Sequence, residues 1–368
     1  MTGTISSRCK LPLRGARVVA GAAALVCLSA LPSSAQVTAT FTPTLQLKVA
    51  ATSSFSFTEQ TKVSRLPSGG YVVGPISEVG RIAWFDAQGR FQRLTGRRGE
   101  GPGELGAIHS VTALPDGRVA VGDARFSIVT AMTDLAERQV DSRDGRDWVG
   151  VAPNTIVQTK LIMPGGQGDP FAVWSGTLDS LRTIKDPFSD MAGDVPFRRL
   201  ARHSNRSIVV SPVTAYEFAL LEVTTGRATL VPVKSPRFPS AKIISVDNRP
   251  PHIARPYPRI LALSMRGADT LVVLHAAAAP NWAPAAPRRR ATSKEGDGTP
   301  ALDMGRYLSF YYDLLDVRNG QSLGSGIIAK PLMAFAAPDL AYALEEAADG
   351  DFMIQLYRMT LSPAVKPQ

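Results

Sequence analysis

Leu66-Pro67-Ser68-Gly69-Gly70-Tyr71-Val72-Val73-Gly74 is answered 48 residues later by Leu114-Pro115-Asp116-Gly117-Arg118-Val119-Ala120-Val121-Gly122, with five of the nine positions identical. In each copy a Pro-Ser-Gly or Pro-Asp-Gly turn reverses the chain, and the Val-rich run after it is a strand. Between the copies, Gly80 to Arg90 supplies a strand and a tight turn centred on Gly89, with a second strand running through Leu94, so the unit is built from hairpins. Self-similarity at about 40 to 50 residues is the pattern of radially stacked four-stranded sheets, because one such sheet cannot bury both faces alone.

The stretch from Val63 to Val140, including Gly99-Glu100-Gly101-Pro102-Gly103-Glu104-Leu105, resembles the six-bladed β-propeller proteins with NHL-like repeats found among exported bacterial proteins. It departs from that repeat at Ala107-Ile108, where a proline is usual, and at Phe126-Ser127-Ile128, where an Arg-Ile pair is usual. Beyond Val140 the repeat decays. Turn-bounded strand groups at Asn154 to Lys185, Ser207 to Val233, Asp269 to Leu323 and Leu340 to Leu361 bring the blade count to six. Glu222 to Arg227 and Asp316 to Gln321 repeat the strand, Gly turn, strand arrangement around Gly89. The expected fold is therefore all-β, a six-bladed β-propeller of four-stranded antiparallel blades, with a seven-bladed ring or a pair of β-sandwiches as alternatives. Thr44 to Val49 is expected to pair within the last blade and close the ring.

Charge and hydropathy divide the chain before that domain begins. Arg8, Lys10, Arg14 and Arg17 precede the first acidic residue, Glu59. Val18 to Leu31 then forms an apolar run too short for a membrane-spanning helix, which needs roughly 20 residues. Ser33-Ser34-Ala35 supplies the small residues of a cleavage site, so residues 1–35 read as a secretory signal peptide and Gln36 as the mature start. No stable membrane span is expected after cleavage, and the expected location is secreted or periplasmic. Both cysteines, Cys9 and Cys27, lie in the signal, which leaves the 36–368 domain to rely on its core rather than on disulfides.

The same division lowers the charge. Removing four basic and no acidic residues turns 41 against 31 into 37 against 31, a net +6 with the signs interspersed. Export and the lack of a Lys/Arg stripe with interleaved aromatics argue against nucleic acid as a partner. Ala276 to Pro300, rich in Ala and Pro and carrying Arg288, Arg289, Arg290 and Lys294, reads as a disordered insertion within the fifth blade.

Chemistry-bearing motifs are sparse. His109, His203, His252 and His275 lack the spacing of a zinc site, and Gly99 to Glu104 lacks the Lys-Ser/Thr ending of a phosphate loop. Calcium is the one candidate cofactor, through Glu78, Asp123, Asp247 and Asn248 near strand ends, although carboxylates there commonly cap turns. Trp84, Trp148, Trp174 and Trp282 read as blade-packing residues. No catalytic residue is assigned. The expected function is that of a monomeric, non-enzymatic, exported binding protein for a protein, peptide or glycan, through loops such as Gly96 to Ser110 and Asp141 to Pro153. The alternative is a calcium-dependent hydrolase or lyase acting at the central channel.

Overall fold

The computed structural model describes residues 36–49, 54–99, 104–123, 126–129, 135–140, 145–152, 155–160, 171–175, 180–188, 197–235, 237–238, 255–283, 307–346 and 352–363. Its strands run β1 (Val37–Leu47), β2 (Phe57–Arg65), β3 (Tyr71–Ile76), β4 (Ile82–Phe85), β5 (Phe91–Thr95), β6 (Ser110–Ala113), β7 (Val119–Gly122), β8 (Phe126–Val129) and β9 (Leu135–Val140). They continue as β10 (Gly145–Ala152), β11 (Thr155–Lys160), β12 (Phe171–Ser175), β13 (Ser180–Ile184), β14 (Arg198–Arg202), β15 (Ser207–Pro212), β16 (Phe218–Glu222) and β17 (Ala228–Val231). The last are β18 (Arg259–Arg266), β19 (Thr270–Ala278), β20 (Leu308–Asp316), β21 (Ser322–Ile328), β22 (Ala334–Ala337), β23 (Leu340–Glu346) and β24 (Phe352–Pro363).

These strands form six four-stranded antiparallel sheets. Five are consecutive meanders, β2–β5, β6–β9, β10–β13, β14–β17 and β18–β21; the sixth joins β22, β23 and β24 to β1. The first strand of each sheet neighbours the first strand of the next, from β2 round to β22 and back to β2, so the sheets are the blades of a propeller closed on itself. Closure uses the register Val37↔Pro363 to Leu47↔Ile354, with an irregularity at Pro43/Leu45. The closing strand expected at Thr44 to Val49 thus starts earlier and ends at Leu47.

The core explains why one blade cannot stand alone. Its six hydrophobic clusters each join two adjacent sheets. Alternation along a strand divides the work: Val72 packs toward β6–β9 with Val119 and Val121, while Val73 packs toward the closing sheet with Tyr342 and Leu356. Both faces are buried, so middle strands such as β15 and β19 read as unbroken apolar runs rather than alternating ones.

Two sequence expectations need correction. Ala276, Ala277 and Ala278 belong to β19, paired with Phe310, Ser309 and Leu308, and Ala276 is fully buried, so the insertion does not begin at Ala276. Alanine in a crowded interface packs where a larger side chain would not, and composition alone misread it as linker. Residues 284–300, with Arg288, Arg289, Arg290 and Lys294, lie outside the described residues. Similarly, Gly145 to Ala152 within the expected contact loop Asp141 to Pro153 is the innermost strand of the third blade.

Candidate functional site

The sheet connections differ between the two faces of the ring. Where the inner strands end, every connection, from 66–70 to 338–339, has at most five residues. Where they begin, the connections include 96–109, 185–197, 232–258 and 279–307. We call these the turn face and the loop face.

The inner strands line a central channel with two enlargements. Toward the loop face, a chamber of about 140 Å³ is lined by Lys62, Ser110, Thr112, Trp148, Arg199 and Phe335, among others. Toward the turn face, a vestibule of about 540 Å³ is lined by residues including Arg65, Pro67, Pro115, Arg202, Met265 and Asp339. The described lining of the two therefore carries four cations, Lys62, Arg65, Arg199 and Arg202, and one carboxylate, Asp339. That carboxylate accepts from Arg358 Nη1 at 3.1 Å.

A fifth cation stands at the loop-face mouth. Arg199 Nε donates to the backbone carbonyl of Ile260 at 3.4 Å, which brings its guanidinium to the start of β18 beside Arg259. Arg259 is exposed to solvent yet surrounded by protein; this crowding, and then the Arg199 charge, hold its guanidinium below the usual arginine value. The described part of the channel lining thus carries more basic than acidic side chains.

The carboxylates singled out for calcium do not meet there. Asp123 is buried at the end of β7 and accepts from the backbone N–H of Gly106 at 2.8 Å, tying down the connection into the second blade. Glu78 pairs with Arg81 at 3.1 Å and accepts from Ser54 Oγ at 3.3 Å. Asp247 and Asn248 lie outside the described residues, among which no group of three His, Cys, Asp or Glu side chains converges to hold a metal. Calcium finds no ready ligand set in the part of the channel the structure describes.

Most other singled-out residues are structural. Trp84 packs between the first two blades under the Arg93 guanidinium, 5.3 Å from its ring centre. Trp148 and Trp174 pack between the second and third blades, and Trp174 Nε1 donates to Gln158 Oε1 at 3.1 Å. Trp282 is half-buried just after β19, its backbone N–H donating to Ala279 O at 2.9 Å. Within Gly99 to Glu104, residues 100–103 lie outside the description; Gly99 N–H donates to Leu105 O and Glu104 pairs with Arg97 at 3.0 Å, so the visible ends form a closed loop. His109 is exposed and donates its backbone N–H to Gly122 O. His203 Nδ1 meets Ser207 Oγ at 2.8 Å, and His252 is not described.

His275 is different. It is fully buried on β19, facing the fourth blade, with Nε2 2.9 Å from Asp313 Oδ2 but off the line of an N–H bond, so neither ring nitrogen makes an aligned hydrogen bond. Tyr216 Oη donates to Asp313 Oδ2 at 2.7 Å and Arg237 Nη1 to Asp313 Oδ1 at 3.1 Å. Tyr311 stacks on the imidazole, and the Arg237 guanidinium lies 4.5 Å above Tyr311. Burial raises the Asp313 pKa, but His275, the Tyr216 hydroxyl and Arg237 together take it below the usual value; burial first and then Asp313 push the Tyr216 hydroxyl well up. With its imidazole sealed from solvent, this cluster fastens the fourth blade and its outgoing connection to the fifth.

The cationic mouth escaped the sequence reading. Its one signal is the shared spacing Lys62-x-x-Arg65 and Arg199-x-x-Arg202 on two inner strands.

No family model matches the chain, and none of the curated proteins matches it. Among solved structures, a Bacteroides fragilis protein described as exported aligns over 90% of this chain and 96% of its own, with 10% identity and a TM-score of 0.53. A streptogramin B lyase aligns over 89% and 99% at 9% identity with a TM-score of 0.43. The extracellular domain of a one-component system from B. thetaiotaomicron aligns over 88% and 40% at 11% identity, also with a TM-score of 0.43. At such identity the first likeness supports the fold alone. No helix among the described residues is long and apolar enough to cross a membrane.

Proposed function

We propose that this chain is an exported binding protein, non-enzymatic, that engages a protein, peptide or glycan with the loop face of its ring, and that it is akin to six-bladed propellers with NHL-like repeats. The carrying observation is the asymmetry of the ring: all the long connections gather at the end of the channel where Lys62, Arg199 and Arg259 stand. A rigid scaffold with long loops on one side is where recognition concentrates. The test is binding to peptide and glycan arrays, mapped with charge reversals. Lys62→Glu and Arg199→Glu on the loop side should abolish the signal; Arg118→Glu and Arg318→Glu, in turns on the opposite face, should leave it intact. The reverse pattern, or a signal indifferent to all four, contradicts this reading.

A further inference from the structure

We infer that β1 is a latch: it docks last, as an extended strand, into a slot that three blades build for it, and the ring stays open until the far end of the chain arrives. This goes beyond the binding role proposed above, and only the latch's use in export rests on that reading.

The main chain of β1 pairs with β24, but its side chains reach the blades on either side. Ala39 is buried with Phe310 and Tyr312 of the fifth blade, and Val37 and Phe41 pack on the same cluster. Leu47 is fully buried with Phe57, Tyr71 and Phe85 of the first blade, and Leu45 packs there too. The irregularity at Pro43/Leu45 makes this possible, because it shifts the alternation and turns the later residues to the other face. One strand thus seals both flanks of the sixth blade. Ala39 N–H donates to Tyr312 Oη at 3.1 Å, and Gln355 Nε2 donates to Leu45 O at 3.0 Å. Each neighbouring blade also lacks a side chain where the backbone of β1 passes. A Cβ on Gly324 of the fifth blade would run into the Val37 carbonyl, and one on Gly89 of the first would crowd the Gln46 carbonyl.

Sequence distance sets the order of assembly. Strands β2 to β24 pair with their neighbours in sequence, whereas Leu45 and Gln355 are 310 residues apart. Closing so long a loop costs entropy before any contact is made, so the local hairpins form first and β1 docks onto them. Read backwards, that last step is the easiest opening: β1 leaves while the blades persist. In a chain exported from its N-terminus, β1 crosses first and waits for β24, and the ring cannot close with its last strand still on the other side.

The test is native-state hydrogen exchange of residues 36–368, resolved by residue. Amides that bond between β1 and β24 should exchange at least about tenfold faster than those of β15 and β19, while β24 amides bonded to β23 stay protected. Ala39→Glu forces a charge into the flank of the fifth blade and should speed exchange across the β1–β24 pair by at least about a further tenfold, leaving β15 unchanged. Thr40 lies opposite Thr360 in that pair, a spacing a disulfide can bridge, and residues 36–368 hold no cysteine of their own. With Thr40→Cys and Thr360→Cys oxidised, β1 should exchange as slowly as β15, and reduction should restore the parental rate. The proposal is overturned if β1 exchanges in step with β15 and β19 in the parent, if the oxidised pair changes nothing, or if the two cysteines fail to bond. Should Ala39→Glu not fold, the parent and the cysteine pair decide alone. None of these outcomes touches the binding role, which the arrays decide.

Discussion

Nε2 of His275 lies 2.9 Å from Oδ2 of Asp313, on neighbouring strands of the fifth blade, and no solvent reaches the imidazole. Asp313 also accepts from Tyr216 of the fourth blade and from Arg237 of the connection between the two. One carboxylate therefore fastens three chain segments.

Asp313→Asn keeps the shape and removes the charge. It should cost about 2–3 kcal/mol at neutral pH, the scale of hydrogen bonds to a charged group. Because the folded Asp313 titrates below its unfolded value, its contribution is present above about pH 4 and is lost as pH falls through the lowered folded value. Urea denaturation of parent and variant should therefore converge in acid. A gap that stays constant below pH 4 would show that the charge is not what matters.

Asp186 and Arg198 form a buried pair, with Arg198 Nη2 2.6 Å and Nε 2.9 Å from Asp186 Oδ2 and both side chains almost inaccessible. Arg198→Met strands a buried carboxylate and should cost about 3–5 kcal/mol. Adding Asp186→Asn keeps an acceptor for the Phe188 N–H, removes the stranded charge, and should recover part of the loss. A double variant no more stable than Arg198→Met would contradict this.

Gly89 and Gly117 both sit at positive φ, 77° and 91°, in turns of successive blades. At Gly117 a Cβ meets nothing within 4 Å, so Gly117→Ala should cost only the backbone penalty, about 1 kcal/mol. At Gly89 a Cβ would lie 2.6 Å from the Gln46 carbonyl oxygen of the closing strand, so Gly89→Ala should cost clearly more. Equal denaturation midpoints for the two variants would misplace that strand.

The turns were legible because their chemistry is local: Pro-Asp-Gly and Asp-x-x-Gly announce themselves within a few residues. Middle strands were legible for a related reason, since burial on both faces makes them apolar throughout. The inner strands were not. The later strand groups begin at Asn154, Ser207, Asp269 and Leu340, one strand too late each time, and omit β10, β14, β18 and β22. An inner strand borders the channel, where Arg199 and Arg202 stand, and β14 and β18 also carry Arg198, Arg259 and Arg266, so these strands look like loop. The candidate site was missed with them. The Asp313 cluster was hidden for another reason: Tyr216 and Asp313 are 97 residues apart, and only the stacking of blades joins them.

Deletions in the fifth blade separate insertion from core. Removing residues 284–300 and bridging them with Gly-Ser should leave cooperative unfolding near the parental midpoint, since doubling a loop changes its closure entropy by only about 0.6 kcal/mol. Extending the deletion back through Ala276 takes away three rungs of the β19–β20 ladder and the buried Ala276 side chain, and should lower the midpoint sharply. Circular dichroism melts of the two deletions check this; equal midpoints would mean those rungs contribute little.

The most direct measurement is binding of residues 36–368 to peptide and glycan arrays before and after charge reversal on each face of the ring. The account predicts that Lys62→Glu and Arg199→Glu abolish the signal while Arg118→Glu and Arg318→Glu leave it intact. A signal that survives both loop-side reversals, or that is lost only with the turn-face ones, would contradict it.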